Sequence, residues 1–353
     1  MKRARVIAFY LPQFHPIAEN DEWWEPGFTE WTNVTKASSL YPGHDQPRLP
    51  SELGFYDLRL EESRVAQAAL AREYGVEAFC YWHYWFGGRR LLQRPFDEVL
   101  ASGKPDFPFC LAWANQTWTG IWHGRSNDVL VEQTYPGPEN EREHFKLLMQ
   151  AFSDPRYVRV DGKPLFVIYR PEDLPDAQRI TAHFRALAVE HGLPGLHLVG
   201  IGAENWLPHE HGFDASILCE PGATLIRVQE THKPSPLARF GKRHFGWPDV
   251  YLPDEFHERG LPLRGLPFAN HPCVVPNWDN TPRSGQRGFV FHGATPATFA
   301  PLMRRAVESV QARPAEERLV FVKSWNEWAE GNHLEPDRRF GRAWLEAVRA
   351  AVE

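Results

Sequence analysis

Eight short apolar runs punctuate the chain, each rich in β-branched or aromatic residues. They are ARVIAFY (4–10), VEAFCYW (76–82), FPFCLAW (107–113), PLFVIY (164–169), LHLVGI (196–201), DASILC (214–219), PCVVPNW (272–278) and LVFVKSW (319–325). The runs are continuous rather than alternating, which is the pattern of strands buried on both faces, as in a parallel sheet. Helical patterns lie between several of them. EESRVAQAALAREYG (61–75) ends at a C-capping Gly75, and residues 140–152 space Phe145, Leu148, Met149 and Phe152 at helical intervals. Residues 176–192 open with Asp176 as an N-cap, and 295–312 open with Thr295 followed by Pro296. A last helical stretch closes the chain.

Strand–helix alternation repeated eight times predicts an α/β protein with a (β/α)8 TIM barrel. Residues 1–353 read as a single domain with long βα loops after strands 1 and 6 (11–75 and 220–271). These inserts lack clear periodicity and read as lids or binding loops. A doubly wound open sheet is the alternative, but it usually carries a glycine-rich loop after its first strand. Here that strand runs into Leu-Pro-Gln-Phe-His-Pro.

Charge and composition narrow the function. The 353 residues carry a net charge of −6 with no basic block, so neither nucleic acid nor an anionic membrane is an expected partner. No run approaches the ~18 apolar residues of a membrane span, so no membrane insertion is expected. The apolar stretch in MKRARVIAFYLPQFHP is too short for a secretory signal, and each of the four cysteines lies in or beside an apolar run. Buried thiols and a cytoplasmic location are the default expectation. Aromatics make up 13% of the chain, and many of the 14 Trp sit among Asn, Gln, Glu and Thr. That mixture suits a sugar-binding cleft, where aromatic faces meet pyranose C–H faces and polar edges bind hydroxyls.

In a barrel the chemistry sits at the C-terminal ends of the strands. Those ends offer Tyr10 and His15; Tyr81, His83, Tyr84 and Trp85; Trp113, Asn115 and Trp118; Tyr169; Trp278, Asp279 and Asn280; and Trp325, Asn326 and Trp328. With Trp31 from the first insert, and leaving out Tyr84, these are the expected substrate-binding residues. The sharpest signal is SWNEWAEGNHLEP (324–336), in which Glu327 and Glu330 stand three apart after the last strand. On a helical turn such side chains share a face with Cβ atoms ~5–6 Å apart. Two carboxylates that close can divide acid and base roles, as in glycosidases, and the near spacing favours retention of configuration. Trp325 and Trp328 are expected to desolvate them. His209 and His211 have a metal-like spacing but sit in a loop-like stretch, so no metal and no cofactor are expected. There is no G-x-S-x-G elbow.

The motifs AFYLPQFHP, EWWEPGFTEWTNV, GHDQPRLP, GFYDLR, FCYWHYWFGGRRLL, FPFCLAWANQTW, GKPLFVIYRP, PNWDNTPR and WNEWAEGNHLEPD, in this order over about residues 4–349, resemble the WbsX-like group. Members are often found in bacterial surface-polysaccharide (O-antigen) gene sets, and the group is similar to glycoside hydrolase family 99. The resemblance implies a retaining, metal-independent glycoside hydrolase acting on an α-linked mannose- or deoxyhexose-type glycan, with an oligosaccharide or polysaccharide as its partner. It implies Glu327 as the residue assisting attack by the substrate's own 2-hydroxyl, and Glu330 as general acid and then base. Two alternatives stay open: a glycosyltransferase of surface-polysaccharide synthesis, and a non-catalytic polysaccharide-binding barrel. No two Asp lie two apart, which counts against a metal-dependent transferase. The sugar, the linkage, the endo or exo mode and the oligomeric state stay open.

Overall fold

The computed structural model describes residues 3–120, 125–231, 236–262 and 265–353. Its central sheet has parallel strands β1 (Arg5–Tyr10), β2 (Val76–Phe86), β3 (Phe109–Trp113), β4 (Lys163–Ile168), β5 (His197–Gly202) and β6 (Ala215–Leu218). It is completed by β7, split into Asn270–His271 and Cys273–Val274, and β8 (Leu319–Val322). Each strand pairs in parallel with the next, and β8 returns to β1 in the register Arg5↔Leu319 to Ala8↔Val322. The split in β7 completes the closure: Asn270–His271 pairs with β6 and Cys273–Val274 with β8. Pro272 lies between the two pieces and has no N–H to give; its carbonyl accepts from Phe321 N at 2.8 Å. Phe9 stacks on Trp82 with ring centroids 4.9 Å apart and meets Phe321 at 5.5 Å.

The predicted helices form at Glu61–Glu73, Pro138–Phe152, Ala177–Glu190, Pro296–Ser309 and Ala343–Val352. Asp176 caps as expected, accepting from Arg179 N at 3.0 Å, and Thr295 and Thr298 form a reciprocal capping box. Gly75 takes φ +84°, and a Cβ there would lie 2.7 Å from Val352 Cγ2, so this turn needs glycine. Two readings are corrected. The expected strand 76–82 runs on to Phe86 and folds back on Arg89–Leu91, pairing Tyr84 with Leu91. The inserts are not structureless. The first carries helices Ala18–Trp23 and Glu30–Lys36, and the second carries Gly222–Thr231, Pro236–Phe245 and Pro253–Arg259. These helices are short and interrupted by Pro and Gly, which hid their period. Cys80, Cys110 and Cys273 are buried free thiols, and Cys219 is half-buried. No helix among the described residues is long and apolar enough to cross a membrane.

Candidate active site

Beyond β8 the chain makes a small hairpin that aims both glutamates. Asn326–Glu327 pairs antiparallel with Asn332–His333 around a single 3-10 turn, Trp328–Glu330. Glu327 stands just before that turn and Glu330 ends it, and the two carboxylates come to one side, where a single guanidinium reaches both. Gly331 ends the turn at φ +59°, where a Cβ would lie 2.8 Å from Asp279 Cβ. Ser324 Oγ accepts from Glu327 N at 2.9 Å and donates to Asn332 O at 2.8 Å, clamping the hairpin. Asp279 N donates to the Glu330 carbonyl at 2.7 Å.

Both carboxylates meet one guanidinium. Arg283, on the short helix Thr281–Ser284, donates to Glu330 Oε1 at 2.7 Å and to Glu327 Oε2 at 3.5 Å. Its Nε also donates to Glu30 Oε1 at 2.8 Å. Glu30 opens the helix Glu30–Lys36 and is anchored by its N–H to the carbonyl of Gln13, just beyond β1. Lys323 Nζ lies 3.9 Å from Glu330 Oε2 and over the Trp278 ring, 5.4 Å from its centroid. Trp82 Nε1 donates to Glu327 Oε1 at 3.2 Å.

Three buried carboxylates therefore face two cations. If all five were ionised, one negative charge would be left uncompensated away from water, so retaining a proton is favoured. Burial, reinforced by the Glu330 charge, pushes Glu327 up to about 8 against the opposing pull of Arg283 and Lys323. Burial also raises Glu30 against the influence of Arg283. Burial disfavours the charge on Arg283, but Glu30, Glu330 and Glu327 outweigh it and its pKa is raised; Lys323 is likewise raised, by Glu330 and Glu327. The arrangement is a buried carboxylate cluster with one more negative than positive group, in which Glu327 is pushed toward its protonated form; such a cluster can give and take a proton.

The expected contacts divide by strand parity. Alternate residues of a strand face opposite sides. Trp82 points to the carboxylates, so Tyr81, His83 and Trp85 point outward to the helical layer. Tyr81 packs on Tyr10 and Phe96 at 4.5 and 5.2 Å. His83 Nε2 meets His144 Nε2 at 2.9 Å, and burial lowers it to about 3. Trp85 stacks on His144 at 4.8 Å, and Trp113 Nε1 donates to the Trp85 carbonyl at 3.1 Å. Tyr10 also faces outward, its hydroxyl donating to Gln67 at 2.7 Å.

Others brace the frame. Asn115 bridges the exits of β3 and β4, accepting from Arg170 N at 2.7 Å and donating to Arg170 O at 2.8 Å. Asn326 bonds both N and O of Leu11 at 2.8 and 3.0 Å, tying β8's exit to β1's. Asp279 is fully buried, accepting from His44 Nε2 and Gln46 Nε2 at 2.8 Å each and from Thr281 Oγ1 at 2.6 Å. Its backbone amide supports Glu330, and its carboxylate is taken up by these protein donors. Asn280 Oδ1 accepts from Phe289 N at 2.8 Å. Trp325 is buried against Phe79, 5.0 Å between centroids, and Trp328 donates to Glu335 Oε2 at 2.6 Å and packs on Trp31 at 5.7 Å. The expected Trp325 and Trp328 walls are therefore replaced near the carboxylates by Trp82 and, across Lys323, Trp278. His15 lines a separate cavity of about 140 Å³ with Arg90 and Arg94.

Of the expected contacts, Trp278 and Tyr169 border the cluster. Tyr169 meets Trp82 at 5.4 Å, and burial raises its hydroxyl against the opposing pull of Lys323. Trp118 stands behind Tyr84 at 5.0 Å, and burial, reinforced by the Glu327 charge, raises the Tyr84 hydroxyl. Glu30, Trp82, Arg283 and Lys323 went unseen as site residues. A period-2 count back from Tyr84 would have found Trp82, and PNWDNTPR already displays Arg283. Glu335 was also missed: it accepts from Gln67, Tyr56 and Trp328, and burial raises it to about 7. Among the described residues no group of three or more His, Cys, Asp or Glu is placed to hold a metal; His211 of the metal-like pair stacks on Trp206.

Comparison with known proteins gives a consistent frame. A family model described as glycosyltransferase WbsX matches residues 6–348. The uncharacterized protein WxcX of Xanthomonas campestris pv. campestris (strain B100) is 40% identical over 351 residues, 99% of this chain and 50% of the relative. The chain thus spans about half the length of the curated relatives it matches. A solved structure described as a glycoside hydrolase-like protein superposes with TM-score 0.61 at 14% identity, covering 99% of this chain and 94% of the other. The GH99 endo-alpha-mannosidase of Bacteroides thetaiotaomicron superposes with TM-score 0.58 at 16% identity, covering 98% and 95%. At such identities the likeness is one of fold.

Proposed function

The chain belongs to the WbsX glycosyltransferase family, and from that footing we propose that it is a retaining glycoside hydrolase that cleaves an α-linked mannose- or deoxyhexose-type glycan of a bacterial surface polysaccharide. The observation that carries the reading is the buried carboxylate pair, Glu327 and Glu330, bridged by Arg283 at the C-terminal mouth of the barrel. Such a pair supplies both groups that retaining hydrolysis requires. In the proposed cycle Glu330 protonates the leaving oxygen while Glu327 assists the substrate's 2-hydroxyl in attacking the anomeric carbon. Glu330 then draws a proton from water as the resulting 1,2-anhydro sugar opens.

Burial pushes Glu327 toward its protonated form. A substrate 2-hydroxyl donating to Glu327 favours the carboxylate form instead, the form that can assist that hydroxyl's attack. Trp278, Tyr169 and Trp82 offer aromatic surface around the reacting sugar.

The test is incubation with a panel of α-linked bacterial glycans, following the first product's anomeric configuration by NMR. Retention, with turnover lost in Glu330→Gln while oligosaccharide binding persists, is the expected result. Persisting turnover in Glu330→Gln removes it from the acid role. Transfer from a nucleotide sugar, or binding to the cognate polymer without turnover, points instead to the transferase or the binding barrel.

A further inference from the structure

The insert after β6 contains a helix with no acidic residue, Pro236–Phe245 (PLARFGKRHF). Leu237, Phe240, Gly241, His244 and Phe245 recur at the spacing i, i+3, i+4, i+7 and i+8, which places them on one stripe. Only Gly241 is buried, beneath Trp247. Leu237 is 67% exposed, Phe240 52% and Phe245 63%. Arg239, Lys242 and Arg243 take the other side and are exposed, Lys242 pairing with Asp249. Two further exposed apolar residues, Ile226 and Leu252, lie in the same insert.

The helix is joined to the proposed site by a short packed path. Trp247 meets Tyr41 at 5.6 Å, and Tyr41 stacks on His44 at 4.5 Å. His44 in turn holds Asp279, whose amide bonds the Glu330 carbonyl.

We propose that Pro236–Phe245 is an interfacial docking helix that seats the mouth of the barrel on an anionic phospholipid surface, with Leu237, Phe240 and Phe245 entering the headgroup–acyl boundary and Arg239, Lys242 and Arg243 meeting the headgroups. Outward-facing Leu and Phe opposite Lys and Arg are the make-up of helices that lie in a bilayer surface. The cations supply the charge complementarity, and the net charge of −6 conceals them because they are packed into five residues. Three apolar side chains on one ten-residue helix are also too few for a specific protein interface, which buries ~1,200–2,000 Å². The inference does not depend on the chemistry of Glu327 and Glu330.

Co-sedimentation with vesicles tests it. The purified chain is expected to sediment with phosphatidylcholine vesicles containing one part in four phosphatidylglycerol, and to stay in solution with phosphatidylcholine alone. R239Q/R243Q is expected to lower the partition roughly 30-fold, from about 1 kcal/mol per cation near a charged surface. F240S/F245S is expected to abolish it, and the exposed-site control Val189→Ser to leave it unchanged. Circular dichroism checks that each variant folds. Should F240S/F245S not fold, quenching of the unsubstituted protein's fluorescence by vesicles of brominated lipid decides: quenching that weakens in Trp247→Phe supports the proposal, and its absence overturns it. Absence of sedimentation, equal sedimentation with neutral vesicles, or an R239Q/R243Q variant that binds unchanged also overturns it. A stable dimer dispersed by F240S/F245S would assign the stripe to a second copy and overturn it too.

Discussion

Glu327→Gln replaces a buried carboxyl by a neutral group of the same shape, and its effect on stability should depend on pH. An ordinary glutamate titrates near 4.5, whereas burial and Glu330 push Glu327 up to about 8. The folded protein thus binds a proton that the unfolded chain has already released. By linkage, stability then falls as pH rises from the unfolded value through the folded one. That interval, at about 1.4 kcal/mol per pH unit, gives roughly 5 kcal/mol as an upper bound. Coupling to Glu330 and relaxation of Arg283 reduce it, and about half is the working expectation. Glu327→Gln lacks this penalty.

The variant should match the unsubstituted protein near pH 5 and exceed it near pH 9. With an unfolding entropy of about 2.1 cal/mol/K per residue, the gain is roughly 3 °C in Tm. Calorimetric melts of both proteins from pH 5 to 9 measure it. Glu30, Glu220 and Glu335 are also raised, but they are common to both proteins and drop out of the difference to first order. A Tm difference that does not change with pH, or one that turns against the variant as pH rises, would refute the protonated Glu327.

Three further outcomes follow from the same geometry. Arg283→Met strands Glu30, Glu327 and Glu330 around an apolar side chain, and should destabilise by about 3–5 kcal/mol in urea unfolding, with part recovered by adding Glu30→Gln. Gly331→Ala forces a side chain into a left-handed turn and against Asp279; a loss of about 1–3 kcal/mol is expected, with Glu330 displaced and turnover on the cognate glycan falling more than binding. Glu335→Gln turns an amide N–H₂ toward a site whose partners Gln67, Tyr56 and Trp328 all donate, and should cost about 1–3 kcal/mol near pH 5 and less at pH 9, because burial raises Glu335 to about 7 and the unsubstituted protein alone loses that stability as pH rises from the unfolded value through the folded one.

Much of the frame could be read along the chain because it depends on local chemistry. The eight apolar runs became eight strands, Asp176 and Thr295 capped the helices they precede, and the Glu327–Glu330 spacing survived as one tight turn. What failed was the direction of side chains at the strand ends. Tyr81, Trp82, His83, Tyr84 and Trp85 are equally rich in chemistry, and only the pairing of β2 within the closed sheet decides which of them faces the carboxylates. Loop geometry likewise turned Asp279 into a buried support, and the parity of β2 opposed His83 to His144 on the covering helix.

The electrostatics belonged wholly to the tertiary structure. Glu30 stands beyond β1 and Glu327 beyond β8, near opposite ends of the chain, and Arg283 reaches both because the sheet closes β8 against β1. Residue types along a sequence determine which groups can ionise. Which of them keeps a proton is set by burial and by charges a few ångströms away, and those distances exist only after the barrel has closed.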